Sequence, residues 1–331
     1  MIRAAVLGAG SWGTALAAHL AKGGTSTMLW ARTPERAAAL QAARMNADYL
    51  PGFRFPEGLE VGGDLVAALQ GRDLVLLAAP AQATGALARA IRPALPPAAE
   101  LVLTSKGLEL DTGLRLTEVL DRELGARASG AAVLSGPSFA AEVVRGDPTA
   151  VVVASRDPEA ARRVQAALSF GNLRLYTNAD PAGVELGGAL KNVMAIATGI
   201  VEGLGLGTNT RAALITRGLA EMTRLGVALG ARASTFAGLA GMGDLVLTCT
   251  GALSRNRSLG VEIGRGRTLA EVLGSRRTVA EGASTASAAL VLAQRAGVEM
   301  PIAAKVSEVL YDGRAPRAAV DDLLARRLTE E

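Results

Sequence analysis

The sequence predicts an α/β protein in two parts: a doubly wound sheet domain over residues 1–180, then an all-α domain over 181–331. Two observations predict it. In the first half, short β-type runs alternate with helical stretches. Several of those runs are continuously apolar between Gly or Pro, as parallel strands covered on both faces tend to be. Past Asp180-Pro181 the β signals stop and only helical periods follow.

IRAAVL at 2–7 opens as a strand and runs straight into a glycine turn, with a helix over 12–22. Further strands are expected at 26–30, 74–78 (LVLLA), 100–104 (ELVLT), 131–134, 150–154 (AVVVA) and 172–177. Helical patterns lie between them at 34–43, 83–91 and 112–124. The second half reads as helices at 182–202, 209–230, 233–240, 255–264, 268–274, 284–296, 301–310 and 316–327. The apolar window 182–207 carries Lys191, Glu202 and several glycines, so a buried helix is expected there and not a membrane span.

A chain of 331 residues has length enough for two domains and their cores. Half the residues are apolar and only 3% aromatic, so the cores must be built from Ala, Leu and Val. The net charge of +4 is modest, and its densest basic spots are RGR at 265–267 and RR at 276–277. Without aromatics beside them, nucleic acid is not an expected partner, whereas a small anionic ligand is. Cys249 is the sole cysteine, which excludes an intrachain disulfide and a cysteine-cluster metal site; a small buried apolar residue is expected there. His19, the sole histidine, falls well inside the first helix and is read as a surface or satisfied side chain. No metal site is expected. Proton transfer then falls to Lys, Asp, Glu or Tyr. The opening strand is not a signal peptide, and a cytoplasmic protein is expected.

Four lysines stand against thirty-one arginines. Lys106 (LVLTSKGLEL) and Lys191 (ELGGALKNVM) sit among apolar and small residues. Arg keeps its proton at ordinary pH, but a desolvated Lys can titrate near neutrality.

The first strand feeds Gly8-Ala9-Gly10-Ser11-Trp12-Gly13 and then a small-residue helix. In that context the pattern points to a Rossmann-type dinucleotide site. Gly8 permits the tight turn, Gly10 lets the backbone approach a pyrophosphate, and Gly13 allows close packing. The helix start supplies donors and positive dipole. After the second strand an NAD site places Asp or Glu; this chain has Leu29-Trp30-Ala31-Arg32-Thr33. Arg32 suits a 2′-phosphate, so NADP(H) is expected as the preferred cofactor, with NAD also possible. Tyr49 is either near the adenine or a plain loop residue.

The blocks GAGSWGTALA, LLAAPAQ, TSKGLE, LSGPSFAAEV, ELGGALKNVMAIATGI, GLAGMGDLVLTCTG, SRNRSLG and VAEG follow one another in this order. Together they resemble the bacterial NAD(P)-dependent glycerol-3-phosphate dehydrogenase family over nearly the whole chain. The resemblance implies reversible reduction of dihydroxyacetone phosphate to sn-glycerol 3-phosphate, as a supply for phospholipid synthesis. It implies Lys191 as the catalytic proton donor and acceptor. Gly187, Gly188, Ala195 and Val184 would share its helix face and help to desolvate it. Lys106 is implied to grip cofactor and substrate, and Asp244 to contact substrate or pair with Lys191. Ser254, Arg255 and Asn256 are implied to hold the substrate phosphate, with Arg255 also on the cofactor; Ser254 also reads as an ordinary helix cap. Gly136 and Ser138 are implied as substrate donors, and Ser11, Trp12, Ala140, Val279 and Glu281 as cofactor contacts. A homodimer is expected from the Ala-rich helical half. The alternatives are a β-hydroxyacid or 6-phosphogluconate-type dehydrogenase, and a non-enzymatic NADP(H)-binding sensor.

Overall fold

A computed structural model describes residues 2–274 and 281–327. The chain divides into two compact units. The first runs through Ser105 and takes in Leu116–Val184; the second holds Lys106–Arg115 and the chain from Glu185 onward. The ten residues Lys106–Arg115 thus leave the sheet unit and fold with the helical one.

The first unit is built on eight strands: β1 (Arg3–Leu7), β2 (Ser26–Trp30), β3 (Leu59–Gly62), β4 (Leu74–Leu77), β5 (Glu100–Leu103), β6 (Ala132–Ser135), β7 (Thr149–Ala154) and β8 (Leu173–Asn178). Their order is β3-β2-β1-β4-β5-β6-β7-β8. Every neighbouring pair is parallel except β6 with β7. Helices α1 (Ser11–Lys22), α2 (Pro34–Ala43), α3 (Leu65–Leu69), α4 (Thr84–Ile91), α5 (Leu116–Leu124), α6 (Ala140–Arg145) and α7 (Pro158–Leu168) complete it.

Apolar strands are needed because both faces are covered. Ala4 and Val6 of β1 pack in one core with Leu16 and Leu20 of α1 and Val164 and Leu168 of α7. Ala5 and Leu7, pointing the other way, pack with Leu87 and Ile91 of α4 and Leu116 and Leu120 of α5. Alternate residues of one strand therefore serve two cores. His19 is buried: Nε2 is 2.9 Å from the Leu168 carbonyl and the ring stacks on Phe170 at 4.0 Å. It is a satisfied structural histidine.

The second unit is helical: α8 (Pro181–Gly203), which begins in the first unit, then α9 (Thr208–Ala228), α10 (Ala233–Phe236), α11 (Asp244–Thr250), α12 (Arg255–Gly264), α13 (Leu269–Gly274), α14 (Glu281–Ala296), α15 (Pro301–Tyr311) and α16 (Pro316–Leu324). α8 is long and apolar enough to cross a membrane, yet its most apolar stretch is wholly buried within the fold. It lies against α12 with its backbone in contact: a Cβ on Gly199 would come 2.1 Å from the Arg257 carbonyl oxygen, and one on Gly260 2.1 Å from that of Ile196.

Four local expectations are corrected. β3 and α3 were not expected, because LEVG is short, carries Glu60 and forms the sheet edge. The helix expected from 112 starts at Leu116, since Gly113 takes φ +68° and Leu108 pairs with Arg115 in an isolated antiparallel bridge. The helix expected over 233–240 ends at Phe236, and a wide π-type turn follows over Leu239–Gly243. That turn launches α11, a seven-residue helix absent from the sequence reading.

Candidate active site

In the first unit, β1 ends in the glycine turn. Gly8 has φ +129°, and a Cβ there would lie 2.7 Å from the carbonyl carbon and oxygen of Ala78. A Cβ on Gly13 would sit 2.0 Å from the Gly8 carbonyl oxygen. The fold itself demands both glycines. Gly10 differs: a Cβ would meet nothing within 4 Å, so no protein atom requires a glycine there. It caps α1 without a side chain, so the first N–H groups of α1 have no side-chain cap. A glycine with room around it at a helix start fits a pyrophosphate that must come against the backbone.

Ser11 Oγ donates to the Tyr49 carbonyl at 3.0 Å. The Trp12 indole N–H is buried and has no partner. Arg32 stands two residues past the end of β2 and is exposed. Tyr49 carries the Arg36 guanidinium over its ring at 5.5 Å. Further along, Gly136 has φ +139° after β6, Ser138 Oγ donates to its carbonyl at 3.0 Å, and Ala140 opens α6.

In the second unit, three residues far apart in sequence meet. Lys191 on α8 donates through Nζ to Asp244 Oδ1 at 2.7 Å. Lys106 Nζ donates to the other oxygen, Oδ2, at 2.6 Å. Thr248, one turn along α11, accepts from Lys191 Nζ at 2.7 Å while its own hydroxyl donates to the Asp244 carbonyl at 2.6 Å. Lys191 is 6% exposed and Asp244 1%. An ammonium has three N–H bonds, and these contacts use two.

Burial lowers the Lys191 pKa to about 8; the nearby Lys106 charge adds to the fall and Asp244 opposes it. Burial alone would raise the Asp244 carboxyl, but Lys106 and Lys191 outweigh it and hold it below its ordinary value. Two ammoniums against one carboxylate leave the cluster net positive. Cys249, the next residue after Thr248, is buried and its thiol is pushed up to about 12 by burial, so it stays protonated and inert.

Ser254 caps α12, its Oγ accepting from the Arg257 N–H at 3.2 Å. Arg255 is exposed beside it. Asn256 is anchored by two contacts that leave its second Nδ2 N–H for a ligand: Nδ2 donates to Asn192 Oδ1 at 2.9 Å and Oδ1 accepts from the Gly282 N–H at 3.0 Å. Through Asn192 the first turn of α12 is tied to the residue after Lys191. Glu281 opens α14, its carbonyl accepting from Ser284 and Thr285. Val279 lies outside the described residues.

Sequence reasoning missed Thr248 and Asn192. Thr248 follows Asp244 by four residues and shares its helix face, and Asn192 is adjacent to Lys191; both signals are visible once α11 and the Asn256 contact are known.

A family model for the N-terminus of NAD-dependent glycerol-3-phosphate dehydrogenase matches residues 3–161, and its C-terminal counterpart matches 180–321. The chain belongs to the NAD-dependent glycerol-3-phosphate dehydrogenase family. It is 53% identical over 322 residues to the glycerol-3-phosphate dehydrogenase (NAD(P)+) of Geobacter metallireducens, covering 97% of this chain and 96% of that one. It is 51% identical over 327 residues to the protein of the same name from Moorella thermoacetica, covering 99% and 97%. The crystal structure of glycerol-3-phosphate dehydrogenase from Coxiella burnetii superimposes with a TM-score of 0.94 at 41% identity, covering 98% of this chain and 99% of that one.

Proposed function

We propose that the chain reduces dihydroxyacetone phosphate to sn-glycerol 3-phosphate, reversibly, with NADPH preferred and NADH accepted. The observation that carries the reading is the buried Lys191 ammonium on Asp244 and Thr248, with one N–H left over. When bound, the reduced nicotinamide supplies a hydride to the substrate's C2 carbon. Lys191 Nζ delivers the proton that the C2 oxygen must gain, and in the oxidative direction the neutral amine removes it from the C2 hydroxyl. Asp244 and Thr248 fix Nζ in place. Lys106 adds positive charge where the oxygen becomes negative.

Gly8, Gly10, Ser11, Trp12 and Gly13 hold the cofactor pyrophosphate end, with Arg32 at the 2′-phosphate. The resemblance adds Ala140 of the first unit, and Lys106, Arg255 and Glu281 of the second, as residues that contact the cofactor. Ser254, Arg255 and Asn256 hold the substrate phosphate at the start of α12, and the resemblance assigns Gly136 and Ser138 as substrate donors through backbone and hydroxyl. The protein acts in the cytoplasm, as a homodimer through its Ala-rich helical half, and its product feeds phospholipid synthesis. The test is NADPH oxidation with dihydroxyacetone phosphate, beside a carboxylate substrate such as 6-phosphogluconate for comparison. Absence of oxidation above background with dihydroxyacetone phosphate refutes the reading.

A further inference from the structure

Behind the glycine turn of the first unit stands Asn46, with a relative exposure of 0%. Its Nδ2 donates to the Ala9 carbonyl at 3.0 Å and to Thr14 Oγ1 at 2.9 Å, and its Oδ1 accepts from Arg36 Nη2 at 2.9 Å. A guanidinium only donates and a backbone carbonyl only accepts, so these two partners fix which way the amide faces. Arg36 is itself held by Asp48 and by the Tyr49 ring. The Asn46 carbonyl accepts from the N–H groups of Tyr49 at 3.2 Å and Leu50 at 2.7 Å. The Tyr49 carbonyl in turn accepts from Ser11. Both N–H bonds of the Asn46 side-chain amide are therefore spent on the turn and on the helix it opens, and its oxygen on Arg36.

The consequence is geometric. In a trans peptide the C=O and the N–H point in opposite directions. With the Ala9 carbonyl held toward Asn46, the Gly10 N–H of the same peptide faces away from it, and a Cβ added at Gly10 would meet no protein atom within 4 Å. We infer that Asn46 is a positioning residue for the dinucleotide: by holding the Ala9 carbonyl it presents the Gly10 N–H to the pyrophosphate. The inference rests on the reading of the Gly8–Gly13 turn as the cofactor site. Asn46 touches no reacting atom, and its effect belongs to binding.

The experiment is calorimetric titration of the whole protein with NADPH and with NADH, in the parent and in Asn46→Asp. Aspartate keeps the volume and the Arg36 contact but has no N–H to give Ala9. The expected result is a Kd raised about tenfold for both cofactors by the same factor, at one cofactor per chain, because the pyrophosphate is common to both. Thr14→Val, which spares the Ala9 contact, is expected to leave both Kd values within about threefold of the parent. A Kd unchanged in Asn46→Asp overturns the inference. So does a loss confined to NADPH, which assigns Asn46 to the ribose end through Arg36. If the aspartate variant does not fold, Asn46→Ser, neutral and too short to reach Ala9, is read by the same criteria. A parent that binds neither cofactor overturns the reading of the turn itself, and this inference with it.

Discussion

Lys191 Nζ lies 2.7 Å from Asp244 Oδ1 with both side chains buried, and Lys106 Nζ closes on the second oxygen at 2.6 Å. One carboxylate shared by two ammoniums cannot neutralise both. Its partial compensation leaves Lys191 charged below about pH 8 and neutral above, which is the range in which a proton is both held and released.

Lys191→Met removes the proton donor and keeps the length of the side chain, while Asp244 remains paired with Lys106. The expected loss in kcat is on the order of 10²–10⁴, with cofactor Kd unchanged. Turnover equal to the parent would dispose of the proton-transfer role.

The pH dependence should have opposite signs in the two directions. Reduction needs protonated Lys191 and should fall as pH rises through about 8; oxidation needs the neutral amine and should rise through the same value. Profiles of kcat in both directions check this. Two profiles with the same sign would be incompatible with a single lysine serving as acid and base.

Gly8→Ala and Gly10→Ala should separate fold from ligand. At Gly8 the added methyl meets Ala78 backbone at 2.7 Å with φ +129°, so a stability loss of about 3 kcal/mol is expected. At Gly10 nothing lies within 4 Å, so stability should change by less than about 1 kcal/mol while cofactor Kd rises about tenfold or more. Denaturant unfolding and cofactor titration measure both. A stable Gly8→Ala or a tight-binding Gly10→Ala contradicts the assignment.

Glu221, 2% exposed on α9, caps α15 by accepting from the Ile302 N–H at 2.7 Å. Burial raises its pKa to about 7, against an ordinary 4.5, with the Ile302 and Ala303 N–H groups opposing the rise. The folded state therefore holds this proton more tightly than the unfolded one. Its stabilising contribution is full below pH 4.5 and is lost as pH rises through about 7. Glu221→Gln removes that dependence. Relative to the variant, the parent should lose up to about 3 kcal/mol between pH 4.5 and pH 8. Urea unfolding of both proteins at the two pH values tests it, and a constant difference would rule it out.

The sheet was legible because its strands carry their burial in their own composition. Ala4 to Leu7 or Leu74 to Leu77 must be apolar at every position when helices cover both faces. The edge strand β3, covered less, has no such run. α11 is too short for a period to show, and its position depends on the preceding turn, where a Cβ on Gly241 would lie 2.1 Å from the Phe236 carbonyl oxygen.

The candidate site divides in the same way. GAGSWG could be read from sequence because six consecutive residues make one turn, and local sterics at Gly8 and Gly13 decide its shape. The cluster around Asp244 could not: its lysines stand 53 and 138 residues away, and only chain folding brings them within bonding distance. Sequence alone determined which side chains could move a proton. The tertiary structure decided that Lys191 has its pKa lowered to about 8, because desolvation and a shared carboxylate are properties of packing, not of any stretch of chain.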